Sequence, residues 1–266
     1  MSDTFEDPVH EAELAAFERK ALSLNAAAAA GLPGRFESFR LGALRVSVAT
    51  ANQYGFLNTV EGLNEQSLEL LPDVLSRFGD PLQATIVSTS PSPSLIERML
   101  DAGYEFAPVR PIAFVCPGTI HPDGAITDKW KIREVSTTPD AELFANLLDA
   151  GYAAAKDVRS LIRAEHTLPT IRAFIAFCDE RPLAVAAMSL HDGVVVLGGA
   201  STLPAARGAG AQSALLSHRL RLAGALGCTL AAATAAPGSP SVRNLARLGF
   251  TIVERTAWRL KSAHSE

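Results

Sequence analysis

The hydrophobic and polar positions alternate between two textures. Residues 8–30 read as one helix: Asp7 can cap it, Pro8 suits the first position, and Glu11 and Glu13 favour its positive end. The tract Ala26–Ala30 continues the helix and Gly31 stops it. From Leu44 the runs shorten. Strands are expected at 44–50, 54–60, 84–89 and 105–115, with helices at 65–78 and, after the SPS triplet at 92–94, up to Gly103. The stretch 116–129 is rich in Pro and Gly and reads as a linker, narrowed to 119–129 as a boundary. Beyond it come strand 130–135, helices 139–153 and 157–166, and three strands at 170–178, 184–190 and 194–202, joined by tight turns at DERP and His191-Asp192-Gly193. Helix 211–226, strand 228–234, helix 241–248 and strand 250–260 complete the chain. An antiparallel meander that gives way to β-α-β-α-β is a mixed α/β arrangement.

The order of elements repeats. SPSL at 92–95 and SPSV at 239–242 each open a short helix, followed by a Gly–aromatic pair (Gly103-Tyr104, Gly249-Phe250) and a strand. Each is preceded by helix, glycine and strand, at an offset of about 147 residues, which points to duplication. The expected domains are 1–118, 119–129 as linker, and 130–266.

Composition narrows the classes of function. With 48% hydrophobic and 20% charged residues and a formal net charge of −4, the chain has a core-forming composition and no general attraction to nucleic acid or acidic membranes. No apolar stretch is long enough to span a bilayer, and the acidic start MSDTFEDPVHEAEL does not resemble a signal peptide, so a cytoplasmic protein is expected. Cys116, Cys178 and Cys228 fit no metal or redox spacing and read as small buried hydrophobes; no metal is expected.

The candidate chemistry lies in LPAARGAGAQSALL (203–216), a glycine turn running into a helix. Unpaired amides at a helix start attract phosphate. A dinucleotide fold would need a third glycine, and a Walker loop needs Gly-Lys-Ser/Thr; neither is present. The loop Arg207-Gly208-Ala209-Gly210-Ala211-Gln212, with Pro204 ahead of it and an SxxN helix and a GF pair behind, resembles the GNAT superfamily of N-acetyltransferases. The resemblance covers about 130–262 well and about 36–116 weakly, as in a tandem GNAT protein with a degenerate N-terminal copy. It implies two GNAT-like domains, each with a mostly antiparallel central sheet flanked by helices.

It also implies acetyl-CoA as co-substrate. Its pyrophosphate would lie on the amides of Gly208, Ala209, Gly210, Ala211 and Gln212, with Arg207 adding charge. Its pantetheine arm would pair with the backbone of Ala200, Ser201 and Thr202, where Gly198-Gly199 marks a bulge, and Ser241 and Asn244 would lie beside the coenzyme tail. Gln212 stands where a small residue is usual. In the first copy the matching stretch is Val60-Glu61-Gly62-Leu63-Asn64-Glu65, whose carboxylates suit no pyrophosphate, so one acyl-CoA per chain is expected.

The usual catalytic groups of the family are missing. Strand 194–202 holds no carboxylate, and Leu245 stands where many relatives carry an acidic tyrosine. No base or acid is assigned; His191 and Tyr152 are the candidates. Tyr152, Lys156, Asp157, Arg159, Glu165 and His166 are polar residues available to an acceptor pocket, though each is also explained by a solvated helix face, and Asp157 by a helix cap. Two readings stand: acetyl transfer to an amine of a small molecule or peptide, or a non-catalytic acyl-CoA-binding or regulatory protein. Either a monomer or a homodimer is compatible with the sequence.

Overall fold

The computed structural model describes residues 7–119, 129–152 and 155–262. Most of the expected linker 119–129, the first six residues of the acidic start, and residues 153–154 lie outside the described residues.

Helix α1 spans Pro8–Ala29. The Asp7 carboxylate accepts from the amides of Val9 and His10 at 3.0 and 3.2 Å, and Gly31 takes φ +65° behind the helix, as its sequence requires. Strands β1 (Phe36–Leu41), β2 (Leu44–Ala49) and β3 (Thr59–Glu61) follow. Residues 52–57 form a 3-10 turn, so that of the strand expected at 54–60 only the end, in β3, is extended. The helix expected at 65–78 shrinks to α2 (Leu71–Leu75) behind a 3-10 turn. Then come β4 (Thr85–Ser88) and α3 (Pro93–Asp101), capped by the Ser92 hydroxyl.

The strand expected at 105–115 is two strands, β5 (Tyr104–Ala107) and β6 (Ile112–Val115). Pro108 and Pro111 separate them, removing backbone donors. The second half contains β7 (Lys131–Glu134), α4 (Thr138–Tyr152), α5 (Lys156–His166), β8 (Ile171–Cys178), β9 (Arg181–His191) and β10 (Val194–Thr202). Both hairpins turn on two residues of positive φ, Asp179-Glu180 and Asp192-Gly193. Helix α6 (Ala211–Ala225), β11 (Leu230–Thr234) and α7 (Pro240–Arg247) follow. The last expected strand again divides, into β12 (Thr251–Val253) and β13 (Thr256–Leu260).

These strands build two mainly antiparallel sheets, ordered β1-β2-β3-β4-β13-β5 and β12-β6-β11-β10-β9-β8-β7. β3 pairs with β4 in parallel in the first sheet, and β10 with β11 in the second. Each has its own core: one around Val46, Val60, Ile86, Met99 and Trp258, the other around Phe174, Ala186, Met188, Leu215 and Ala231. The chain therefore holds two GNAT-like α/β domains in tandem.

The compact units do not follow the boundary at 119–129. One comprises Lys20–Pro111 and the segment from Val253 on; the other comprises Ile112–Ile252 with the chain up to Arg19. Strand β6 belongs to the second sheet and β13 to the first, so the halves exchange a strand. Both exchanges occur at the breaks that a single strand would have hidden, Pro108–Pro111 and Glu254-Arg255. Arg110 and Arg255 fasten the two breaks together: the Arg110 amide donates to the Arg255 carbonyl at 3.0 Å, and Arg255 Nε donates to the Arg110 carbonyl at 2.8 Å.

Of the cysteines, Cys228 is buried, and burial raises its thiol pKa, whereas Cys178 is half-buried and Cys116 is exposed, contrary to a uniformly buried set.

Candidate functional site

The parallel pair β10–β11 begins in register at Val194–Leu230 and ends at Leu197–Ala233. Beyond Leu197, β10 continues alone on that side. On its other side it stays paired with β9, but the register slips between Gly198 and Ser201, with Gly199 at φ +54°. Val194–Leu197 is the apolar run that fits a buried strand, and the Gly198-Gly199 pair ends it with a bulge. The result is a wedge with backbone donors and acceptors on one open edge.

A glycine at 199 is required twice over. Its φ disfavours side chains, and a Cβ there would come within 2.3 Å of His166 Nε2 and 3.1 Å of the Ala187 Cβ. Gly151 is needed for a comparable reason: a Cβ would lie 2.5 Å from the Ser201 side chain, so α4 packs directly on β10. The Ser201 hydroxyl, buried there, donates to the Leu147 carbonyl at 3.0 Å.

The wedge opens toward the loop. Pro204–Ala206 makes one 3-10 turn, Gly208 and Gly210 take φ +78° and +87°, and α6 starts at Ala211 with no side-chain cap. No atom lies within 4 Å of a Cβ placed on Gly208, so its dihedral, not crowding, demands glycine. Residues 207–210 are exposed. An uncapped helix start reached through left-handed glycines leaves amides free for an anion.

Three side chains fix this geometry. Trp130 Nε1 donates to the Ala209 carbonyl at 3.0 Å. Gln212 Nε2 donates to the Ser201 carbonyl at 2.7 Å and the Thr202 hydroxyl at 3.0 Å. Its amide nitrogen therefore binds β10 and is not held out toward a phosphate. Arg207 folds back, Nε donating to the Thr202 carbonyl at 3.3 Å and Nη2 to the Gly151 carbonyl at 3.2 Å; a guanidinium has further donors to face an anion.

Asn244 and Ser241 lie on α7. Ser241 is exposed and is not the cap: the Ser239 hydroxyl caps the helix, with Pro240 in its first turn, matching Ser92 and Pro93 of α3. Asn244 Oδ1 accepts from Arg247 at 3.2 Å. Leu245 points into the core, where no acid could serve. Likewise Ala155, not Asp157, occupies the cap position of α5, and Lys156, Asp157 and Arg159 are exposed.

The two catalytic candidates separate. His191 pairs opposite Val194, four residues along β9 from Ala187, which faces Gly198. That is about 13 Å of strand. His191 Nε2 lies 2.8 Å from the Ser189 hydroxyl, and burial, then Arg19, lowers its pKa. It closes a hairpin away from the bulge. Tyr152, the last residue of α4, reaches the backbone of Ala200. Burial around its hydroxyl, reinforced by Glu165, raises the phenol pKa although much of the ring faces solvent, and it stays protonated at neutral pH.

Two further residues converge on the same bulge. Arg219, on α6, is 3% exposed; Nη1 donates to the Ala187 carbonyl at 2.7 Å and more weakly to the Gly198 carbonyl at 3.4 Å. Burial lowers its pKa to about 10, with Tyr152 opposing the shift, so it remains a cation. Its position was readable: residues 215, 216, 219, 220 and 223 share one apolar helical stripe, and an arginine in that stripe is out of place. His166 ends α5 with its side chain 5% exposed, not on the solvated face that helix spacing suggests. It is one of the polar residues that the sequence offers to an acceptor pocket.

Among the described residues no group of three or more His, Cys, Asp and Glu side chains could hold a metal ion, and no helix is long and apolar enough to cross a membrane.

Comparison with known proteins agrees with this geometry. Residues 141–250 match the acetyltransferase (GNAT) family. That match lies in the second half of the chain. Among solved structures it is similar to a GCN5-related N-acetyltransferase from Kribbella flavida, 19% identical with a TM-score of 0.64, covering 96% of each chain. It is also similar to a GCN5-related N-acetyltransferase from Sphaerobacter thermophilus, 14% identical with a TM-score of 0.59, covering 91% of this chain and 90% of that one. A tandem GNAT protein from the clavulanic acid biosynthesis pathway is 14% identical with a TM-score of 0.56, covering 93% and 94%. At such identities the likeness is one of fold. No curated protein sequence matches the chain significantly.

Proposed function

We propose that the chain transfers an acetyl group from acetyl-CoA directly to an amine of a small molecule or peptide, with one acetyl-CoA held by the unit containing β10 and α6. One observation carries this reading: β10 parts from β11 after Leu197 at a glycine bulge, and the strand leads into a loop that opens α6 through two left-handed glycines and no cap. The open strand edge matches the repeated amides of pantetheine, and the bare helix start matches a diphosphate. Ala200, Ser201 and Thr202 offer backbone groups; Gly208, Ala209, Gly210 and Ala211 offer amides; Arg207 adds charge. Gln212 positions β10, and Asn244 and Ser241 border the tail.

Transfer by direct attack needs no covalent enzyme intermediate, in keeping with a Cys228 thiol whose pKa burial raises. Thermal unfolding with and without saturating acetyl-CoA, paired with thiol release in the presence of amines, tests the reading. A melting temperature that acetyl-CoA leaves unchanged would sink it, because a ligand that binds only the folded form must stabilise it. The non-catalytic alternative draws on one observation, the core position of Leu245. It predicts stabilisation by acetyl-CoA without thiol release.

A further inference from the structure

Among the described residues, His166 Nε2 is a buried polar atom without a hydrogen-bond partner, and it lies against the bulge of β10. The ring's tautomer follows from its contacts. Nδ1 is 2.9 Å from the Ile162 carbonyl, which can only accept, so Nδ1 carries the proton and neutral His166 presents a bare lone pair at Nε2. A buried acceptor without a donor is destabilising, so the fold keeps it at a cost that a ligand could offset. Asp149 Oδ1, on the neighbouring turn of α4, is a second buried acceptor without a partner. Both are acceptors, and a hydrogen-bond donor is what they lack.

We propose that His166 takes the proton from the acceptor amine. The assignment rests on the acetyltransferase reading and adds the group that reading lacks. The amine nitrogen bonds to the thioester carbonyl carbon, the carbon–sulfur bond breaks, and the amine's proton passes to His166 Nε2. The departing thiolate takes the phenolic proton of Tyr152, which stands one residue along the strand at Ala200. Return of the proton from imidazolium to phenolate through solvent restores both groups. Arg219, between the Ala187 and Gly198 carbonyls, positions the bulge on which both side chains bear.

The charged groups facing His166 are Glu165 on its own helix, with Oε1 3.8 Å from Nε2, Arg19 of α1, which pairs with Glu165, and Asp149 of α4. Burial is the largest influence and lowers the pKa; Glu165 opposes it, and Arg19 adds to the lowering. The imidazole is thus neutral at pH 7 and able to accept.

The test measures thiol release from acetyl-CoA by the full chain with primary amines (amino acids, polyamines, amino sugars, a lysine peptide) and with water alone. His166→Gln should lower kcat at least about 100-fold, the usual contribution of a positioned base, with the KM for acetyl-CoA and the melting temperature little changed. Once pH falls through the His166 pKa, which burial holds below that of an ordinary imidazole, log kcat/KM of the wild type should fall with a slope of two, one proton for the amine and one for His166, and the variant with a slope of one. Nitrogen NMR of the imidazole in the unliganded wild type should show Nδ1 protonated and Nε2 bare at pH 7.

Retained kcat or an unchanged slope in His166→Gln overturns the proposal. If Arg207→Glu meanwhile abolishes acetyl-CoA binding, the acetyltransferase reading stands without it. A protonated Nε2 at pH 7, or binding of acetyl-CoA without thiol release above the enzyme-free rate, also overturns it. Failure to bind acetyl-CoA overturns both.

Discussion

The two parallel strand pairs, β3–β4 and β10–β11, occupy matching places in their sheets and differ in one respect. Pair β10–β11 comes apart after Leu197, whereas β3–β4 stays closed to its end. After Glu61 pairs with Val87, the amides of Gly62 and Leu63 both donate to the Val87 carbonyl at 3.1 Å. The loop beyond is also self-sufficient: Asn64 N donates to the Ser67 hydroxyl at 3.0 Å, and Ser67 N to Asn64 Oδ1 at 2.9 Å. Its helix has five residues against fifteen in α6. The same topology therefore yields an open, amide-rich wedge in one unit and a satisfied strand end in the other. On the proposed reading, the parting of the strands, and not the fold alone, makes the site.

Charge completes the contrast. In the closed copy, Glu61 is buried among cations: Lys20 Nζ at 2.5 Å and Arg255 Nη1 at 2.8 Å, with Arg110 near. Burial alone would raise the Glu61 pKa; Lys20 and Arg255 together outweigh it and hold the carboxyl well below the usual range. Lys20 moves down because burial exceeds its share of the one carboxylate.

The largest expected effect tests this closure. Glu61→Gln leaves buried cations without their anion and should cost about 3–5 kcal/mol in denaturant unfolding. The unfolded chain binds the Glu61 proton more readily than the folded one. The contribution is therefore full above about pH 4.5 and is lost as pH falls below it, a dependence that should vanish in the variant. A variant as stable as the wild type would show that the cluster does not hold the closed copy together.

Next is Gly199→Ala, aimed at the open copy. Positive φ costs an alanine about 1–2 kcal/mol, and the forced contact with His166 and Ala187 adds about 1–3 kcal/mol. Its melting temperature should drop, and the residual protein should lose stabilisation by acetyl-CoA. A tolerated alanine would mean that the bulge is not tightly built.

How much of this was legible depends on the range of the interactions. The repeat, the caps at Asp7, Ser92 and Ser239, the hairpin turns and the glycines of the loop are local devices, and local sequence carries them. The exchange of β6 and β13 was not, because a strand's partners lie far along the chain and the breaks at Pro108–Pro111 and Glu254-Arg255 look like interruptions within one strand. His191 drew notice as a histidine beside the key strand, but strand register puts it at the wrong end. His166 and Tyr152 meet the bulge only through the packing of α4 and α5, which no spacing encodes.

Arg207→Glu should weaken acetyl-CoA at least about tenfold in calorimetry, since it reverses a charge beside the proposed diphosphate while the side chain's partners are only two carbonyls. The wild type should bind one equivalent. Two equivalents would break the comparison, giving the closed copy a site that its strand end does not provide.

The smallest effect sharpens the comparison most cleanly. The chain has two tryptophans, one in each unit: Trp130, whose Nε1 holds the Ala209 carbonyl of the loop, and Trp258, fully buried in the first sheet. Trp130→Phe keeps an aromatic ring and removes one hydrogen bond, a loss of about 1 kcal/mol, so acetyl-CoA should bind a few times more weakly. Binding to the wild type should change its fluorescence through Trp130, and the variant, reporting only through Trp258, should stay silent while calorimetry still records binding. A Trp258 response would mean that the ligand reaches the unit whose strands never part.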